Sequence, residues 1–105
     1  MKRLTDNEID FNLTVLNGWS LDDGRIVKNI VFKDFKEAFA IMIKISEVAE
    51  ELNHHPDWYN SYNKLNIKLT THDSGGITMK DFEIADRIEA ILNQSKKKRP
   101  RLTKD

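Results

Sequence analysis

Cysteine is absent from this chain of 105 residues, and proline and glycine are scarce, with two and four copies. A chain without cysteine forms no disulfide, offers no thiolate nucleophile and builds no cysteine-ligated zinc site. The composition therefore excludes disulfide-stapled folds, cysteine-dependent catalysis and zinc-ribbon modules. It fits a reducing compartment, where disulfides are rare.

Long apolar stretches are also missing, since no apolar run approaches the ~20 residues of a membrane-spanning helix. The first fifteen residues lack the apolar centre of a signal peptide, because Asp6, Glu8 and Asp10 interrupt it. We therefore expect a cytoplasmic protein with no membrane partner. The length predicts one domain with a modest core, which oligomerisation would help to stabilise.

The net charge is zero, but the charges are unevenly distributed: residues 1–94 carry −5 and residues 95–105 carry +5. We interpret residues 1–94 as one acidic domain and residues 95–105 as a basic, disordered tail. An acidic body argues against broad nucleic-acid binding by the domain. The basic run at residues 96–101 has two interpretations, a nuclear or nucleic-acid signal and a solvated tail, and we favour the second.

Hydrophobic periodicity predicts helices and hairpins in alternation. Asp23-Gly24 is typical of a two-residue hairpin turn and sets Leu21 opposite Ile26. The predicted order is helix, hairpin, helix, hairpin, helix, over residues 5–16, 19–32, 34–52, 57–72 and 78–92. It predicts an α+β fold, helix-β2-helix-β2-helix, with helices packed on one face of a four-stranded antiparallel sheet.

The longest predicted helix, residues 34–52, is apolar on more than one side. Its expected buried stripe comprises Phe35, Ala38, Phe39, Met42, Ile45, Ala49 and Leu52. Three further residues widen this stripe beyond one packing face: Ile41, Ile43 and Val48. The surplus predicts either a second partner surface, such as a subunit contact, or burial on two sides within the domain.

All three histidines lie between residues 50 and 81. Histidine exchanges protons near neutral pH, so this concentration indicates acid–base chemistry. His54 and His55 are adjacent, and Pro56 disfavours helix at His55. We therefore predict a bend just after a helix, with both rings presented to a cleft. His72 is expected at or just past a strand end, with the parity of the polar face.

A metal site and an ordinary surface role are the alternatives for these histidines. Asp57 and Asp73 would be further ligands, but adjacent histidines rarely chelate one ion from a strand, and no HExxH-type spacing occurs. A surface role is common for one histidine and a poor explanation for three in this pattern. We therefore favour metal-independent acid–base catalysis.

The order of these residues resembles the signature of the pterin-4a-carbinolamine dehydratase family. The residues that carry the resemblance are Glu50, His54-His55-Pro56, an aromatic at Tyr62, His72, Gly75-Gly76 and Asp81. The segment LNGW at residues 16–19 resembles an upstream landmark of the family. The resemblance extends over nearly the whole chain except the basic tail.

This resemblance implies dehydration of a 4a-hydroxytetrahydropterin to a quinonoid dihydropterin in tetrahydrobiopterin recycling, with no cofactor and no metal. It implies His54 and His72 as the acid–base pair and His55 mainly as an orienting residue. It also implies substrate contacts from Trp19, Glu50, Asp57, Trp58, Thr71, Asp73 and Asp81. A homodimer or homotetramer is expected on the same ground.

Several of these implications have alternatives. Trp19 can be a core or edge aromatic, and Asp81 can cap the helix that begins near Thr78. Family members also include dimerisation partners of transcription factors and proteins that serve as binding or assembly factors. The present chain keeps all three histidines of the catalytic pattern, which favours the enzyme.

Overall fold

A computed structural model describes residues 2–97. The helices are α1 (Asp6–Leu13), α2 (Phe35–Leu52) and α3 (Met79–Lys97), and the strands are β1 (Ser20–Asp22), β2 (Arg25–Val31), β3 (Asp57–Ser61) and β4 (Lys64–Leu69). A short 3₁₀ turn, His72–Ser74, lies between β4 and α3. The predicted α+β class and element order are confirmed. Within these residues, no helix is long and apolar enough to cross a lipid bilayer.

The strands form one antiparallel sheet in the order β1-β2-β4-β3. Leu21 lies opposite Ile26, as the Asp23-Gly24 turn predicts, and both turn residues have positive φ, 51° and 74°. The central pair, β2 and β4, joins the two hairpins and sets Ile26 opposite Leu69. The end of β4, which leads to the third histidine, therefore lies beside the start of β2.

The helices cover one face of this sheet. In β4, Leu65, Ile67 and Leu69 are buried, whereas the alternate residues are less buried. The helix residues that complete the core are Ile9 of α1, Ala38, Ile41, Ile45, Val48 and Ala49 of α2, and Phe82, Ile84, Ala85 and Ile88 of α3. This packing holds the C-terminal end of α2 beside the N-terminal half of α3.

The buried stripe of α2 differs from the predicted one. Phe35, Phe39 and Ile43 are 47%, 48% and 49% exposed, whereas Ile41 and Val48 are buried. The two phenylalanine rings lie against each other, with centroids 5.7 Å apart. Because α2 is apolar on two faces, its periodicity did not decide which face meets the sheet. The prediction that the domain buries all of these side chains was therefore wrong, and part of the apolar surface of α2 is exposed.

The helix ends also differ from the prediction. α1 stops at Leu13 rather than at residue 16, and α3 continues to Lys97 rather than ending at residue 92. No glycine or proline interrupts the chain between residues 92 and 97, so nothing in the local sequence ends the helix there. α3 therefore crosses the predicted boundary at residue 95, and the rest of the predicted disordered tail lies outside the described residues.

Candidate active site

The C-terminus of α2 turns the chain so that His54 and His55 leave the helix. Asn53 adopts the left-handed conformation, with φ of 50°, and its N–H donates to the carbonyl groups of Ala49 and Glu50. The His54 N–H also donates to the Ala49 carbonyl, at 3.0 Å. β3 begins at Asp57, so both rings lie on a short connection after a helix. The predicted bend is confirmed.

His72 lies on a tight loop that follows β4. Thr71 and Gly76 pair across the loop as an isolated antiparallel bridge. Gly75 ends the 3₁₀ turn with φ of 74°, a conformation that favours glycine, and its N–H donates to the His72 carbonyl. This closure holds His72 at the surface beyond the strand end, as its position in the sequence predicts.

The three histidines line one open cleft with a volume of about 270 Å³. Its lining comes from the end of α2, the loop after β4 and the first turn of α3, and comprises Asn53, His54, His55, Thr70, Thr71, His72, Asp73 and Lys80. Histidines separated by eighteen positions in the chain thus lie in one cleft. The fold brings them together because α2 and β4 end on the same side of the core.

Among the three histidines, His54 forms the most buried polar contact. Its Nε2 lies 2.6 Å from Oδ1 of Asp81, whose side chain is fully buried, while the His54 side chain is 10% exposed. A carboxylate oxygen accepts but does not donate, so the proton between them belongs to Nε2. Asp81 therefore sets the tautomer of His54 and leaves Nδ1 as its other ring nitrogen.

Asp81 is at once a helix cap and a partner of His54. Its Oδ2 accepts the backbone N–H of Thr78 at 2.9 Å and the hydroxyl of Thr71 at 2.8 Å. The capping interpretation is confirmed by the first of these bonds. The second oxygen is free to serve His54 because the cap uses only Oδ2. The two interpretations are therefore compatible.

The other two histidines also face carboxylates, but in solvent. His55 Nε2 lies 2.6 Å from Oε2 of Glu50, and both side chains are more than half exposed. His72 Nε2 lies 3.7 Å from Oδ2 of Asp57, which exceeds hydrogen-bond length. Exposed pairs of this kind hold a ring loosely. His54 is thus the histidine held by a buried carboxylate, and His55 and His72 are the exposed ones.

An ion pair ties the two helices that carry the His54–Asp81 pair. Arg87 of α3 donates from both terminal nitrogens to the carboxylate of Glu51 on α2, at 3.2 and 3.0 Å. The hydrogen bond from Arg87, with its positive charge, lowers the pKa of Glu51, and the Glu51 hydrogen bond and charge raise the pKa of Arg87. Glu51 lies three residues before His54, so this fork restrains the end of α2.

The two tryptophans expected to touch substrate do not line the cleft. Trp19 is buried, and its indole N–H donates to Glu89 Oε2 at 2.8 Å, beside Lys28. Glu89 lies eight residues after Asp81 on α3, about 12 Å along the helix axis. Trp58 is half-buried and packs against the hydrophobic core. The core interpretation of Trp19 fits this environment.

The remaining predicted contacts divide into two groups. Thr71 and Asp73 lie in the cleft lining, although the Thr71 hydroxyl is engaged with Asp81. Glu50 and Asp57 are not among the lining residues and adjoin the cleft through the histidines they face.

Four residues of this region were not predicted as site residues: Asn53, Thr70, Thr78 and Lys80. Thr78 is the most deeply buried of them, and its hydroxyl lies 2.8 Å from the Thr71 hydroxyl. Sequence reasoning gave Thr78 only a capping role, because its contact with Thr71, seven positions earlier, depends on how the loop between them folds back. For Asn53 a signal did exist, because asparagine is common in the left-handed conformation that ends a helix, and that position comes directly before His54.

Within residues 2–97, no group of three or more histidine, aspartate and glutamate side chains is gathered so as to hold a metal ion. Each histidine instead faces one carboxylate. An arrangement of imidazoles that accept and donate protons is what the cleft offers chemically.

A sequence model described as pterin 4 alpha carbinolamine dehydratase matches residues 2–91. The chain belongs to this family. The predicted resemblance is therefore confirmed, and the match covers all four strands, α1, α2, α3 as far as residue 91, and every residue of the cleft.

Similar proteins extend over nearly the same range. A protein of Sulfurisphaera tokodaii, provisionally named a pterin-4-alpha-carbinolamine dehydratase, is 47% identical over 88% of this chain and 99% of its own. A protein of Rhodopseudomonas palustris with the same provisional name is 45% identical over 90% of this chain and 95% of its own. Family membership supports a dehydratase of the lyase class acting on a pterin.

Two solved structures share the fold. A transcriptional coactivator/pterin dehydratase from Brucella melitensis is 41% identical, with a TM-score of 0.83, and the match covers 86% of this chain and 98% of that one. A pterin dehydratase-like protein identified as a RuBisCO assembly factor in the alpha-carboxysome is 19% identical, with a TM-score of 0.57, over 70% of this chain and 84% of that one. The second likeness concerns the fold alone.

Proposed function

We propose that this protein dehydrates 4a-hydroxytetrahydropterins to quinonoid dihydropterins by histidine acid–base catalysis. In this reaction the bond between the ring carbon and the hydroxyl oxygen breaks as that oxygen receives a proton. A ring nitrogen loses its proton, a carbon–nitrogen double bond forms, and water leaves. The reaction needs one proton donor and one proton acceptor, and it consumes no electrons.

The observation that carries this proposal is the buried His54–Asp81 pair at an open cleft that two further histidines line. The carboxylate holds Nε2–H, so Nδ1 of His54 is the nitrogen that exchanges a proton with the substrate. His72, on the opposite segment of the cleft, supplies the complementary proton transfer. His55 orients the substrate, and its exposed contact with Glu50 leaves it free to move.

The test is a dehydration assay on the purified chain, in which loss of carbinolamine absorbance is compared with the spontaneous rate. We expect His54→Ala and His72→Ala each to lower kcat by about a hundredfold or more, the usual contribution of a positioned proton-transfer group. The double variant should lose much less than the product of the two, because groups that act as a unit are not additive. His55→Ala should mainly raise KM.

The same assay gives the outcomes that contradict the proposal. A wild-type rate equal to the spontaneous one at micromolar enzyme would remove the dehydratase function. Near-normal turnover of folded His54→Ala and His72→Ala, with loss in His55→Ala, would instead reassign the roles within the same function. Circular dichroism of each variant separates lost chemistry from lost fold.

The proposal places the reaction in tetrahydrobiopterin recycling in the cytoplasm, without cofactor or metal. The family resemblance supports the recycling role, and the pairing of each histidine with a single carboxylate supports a reaction without metal. Elemental analysis of active protein tests the metal-independent part. Stoichiometric zinc or iron, together with loss of activity on chelation, would reverse it.

We further propose a homodimer or homotetramer. The apolar surface of α2 supports this, since Phe35, Phe39 and Ile43 are each about half exposed along one helix. Light scattering at working concentration tests the assembly, and a stable monomer mass would contradict it.

A non-catalytic binding or assembly role is the alternative, and the open α2 surface is the observation that favours it. The Brucella melitensis structure is described as both a coactivator and a pterin dehydratase. Turnover by the purified chain distinguishes the two functions, because a binding protein on this fold has no need of a fast dehydration rate.

A further inference from the structure

Two threonine hydroxyls lie beneath the His54–Asp81 pair and have no role in the proposed reaction. Thr71 is 8% exposed and Thr78 is fully buried. Their Oγ1 atoms are 2.8 Å apart, and Thr71 Oγ1 is also 2.8 Å from Asp81 Oδ2. Buried hydroxyls carry a desolvation cost unless each is hydrogen-bonded, so their partners can be followed one by one.

The donor and acceptor of each hydrogen bond follow from the Asp81 carboxylate, which accepts the last of them. Asp81 only accepts, so the Thr71 hydroxyl donates to it. Thr71 has no second hydroxyl proton, so the Thr78 hydroxyl donates to Thr71. Thr78 Oγ1 in turn accepts the backbone N–H of Lys80 at 3.2 Å. The result is a directed chain from the α3 backbone through two hydroxyls and Asp81 to His54.

This chain exceeds what capping a helix requires. Thr5 and Glu8 form the equivalent reciprocal cap of α1, and no third side chain joins them in the bonds that describe it. At α3, a hydroxyl from the segment after β4 is added to the cap and binds the carboxylate directly. The addition engages Oδ2 twice and leaves Oδ1 directed at His54.

We propose that Thr78 and Thr71 are positioning residues that lock the Asp81 carboxylate and thereby the tautomer of His54. Thr71 holds Oδ2, Thr78 orients the Thr71 hydroxyl, and Oδ1 is left for Nε2–H of His54. Without the two hydroxyls the carboxylate can rotate, and the proton of the imidazole is no longer confined to Nε2. The kinetic consequence rests on the proposed dehydratase function, whereas the tautomer is a property of the folded protein alone.

The primary test is the tautomer, measured by long-range ¹H–¹⁵N correlation spectra of protein labelled at its three histidines. Loss of one signal set in His54→Gln assigns the His54 ring. In the wild type, His54 should be protonated at Nε2. In Thr78→Val, which is nearly isosteric but lacks the hydroxyl, we expect a mixture of the two tautomers. Thr78→Ser keeps the hydroxyl and should restore the wild-type spectrum.

A second pair of variants separates positioning from helix stability. Thr5→Val removes the cap of α1 in the same way but has no connection to Asp81, so it should leave the His54 spectrum unchanged. Thr71→Val removes the middle hydroxyl and should give the same mixed tautomers as Thr78→Val. It therefore carries the test if Thr78→Val does not fold.

Turnover provides the functional consequence. Residues that hydrogen-bond to the far side of a metal-bound histidine typically contribute ten- to a hundredfold to activity or metal affinity. We take the lower end of that scale for a histidine without metal and expect a loss of about tenfold in kcat for Thr78→Val, with little change in KM. Thr78→Ser should recover most of it. If the threonine variants give mixed tautomers but the wild type shows no dehydratase activity, the positioning role is supported and the proposed function is refuted. A wild-type tautomer in folded Thr78→Val and Thr71→Val would overturn the positioning role itself.

Discussion

Replacing Asp81 by asparagine separates its two duties, capping and holding His54. The side chains have the same size, so the amide oxygen can keep the two bonds that Oδ2 accepts from Thr71 and Thr78. The amide nitrogen then occupies the place of Oδ1, 2.6 Å from His54 Nε2. Two N–H donors would face each other there, so His54 must shift its proton to Nδ1.

The size of both effects can be worked out from these contacts. Hydrogen bonds to charged groups contribute about 1.5–3 kcal/mol and neutral ones about 1 kcal/mol. Once His54 has shifted its proton, all three bonds of Asp81 can be kept in neutral form, at a loss of about 1 kcal/mol each and so about 3 kcal/mol of unfolding free energy. For a domain of this size that lowers Tm by roughly 10–15 °C. Turnover should fall at least ~100-fold, because the wrong tautomer of a catalytic imidazole is inactive.

The measurement pairs thermal unfolding with the dehydration assay below Tm. Glu8→Gln is the matched control, since Glu8 occupies the same third position of α1 and accepts the Thr5 N–H without contact to a histidine. It should lower Tm slightly and leave kcat unchanged. Asp81→Asn with a lowered Tm and near-normal kcat would refute the tautomer argument and leave Asp81 as a cap alone.

Three further predictions concern contacts away from His54. Because Arg87 lowers the pKa of Glu51, the stability from this pair is present above the unfolded-state pKa of about 4.3 and is lost as pH falls through the lower folded-state pKa. Arg87→Ala should therefore lower the urea midpoint at pH 7 and match the wild type in strong acid; an equal deficit at both pH values would contradict this. Trp19→Phe removes the bond to Glu89 and should lower the urea midpoint while leaving KM for pterin unchanged, whereas a severalfold rise in KM would make Trp19 a substrate contact. Phe39→Glu places charge on the open face of α2 and should reduce the mass measured by light scattering, and an unchanged oligomer would move the subunit contact elsewhere.

Local sequence determined the elements and part of the site. Positive φ at Asp23 and Gly24 is inherent in their turn, and it fixed the first hairpin and its register. The bend at His54-His55 followed from Pro56 and the helix end before it. These features were predictable because each depends on residues a few positions apart. The family signature added the grouping of His54, His55 and His72, which spacing alone does not give.

The orientation of α2 was not predictable in this way. Both of its faces are apolar, and only the fit against β4 and α3 selected Ile41 and Val48 for the core and left Phe35 and Phe39 outside. Trp19 is a similar case. Its indole N–H is bound by Glu89, seventy positions away, and no local pattern distinguishes that contact from a place beside the substrate.

The sequence by itself determined that this chain forms an α+β fold with three histidines concentrated in one stretch. Only the tertiary structure decided that they are unequal. Asp81 lies 27 positions from His54, and Thr71 lies ten from Asp81, yet all three meet where α2 and β4 end and α3 begins, against one core. A buried hydrogen bond depends on distance in space and on the exclusion of water, and both are properties of packing. His54 is held by a buried carboxylate for that reason, and His55 and His72 remain exposed.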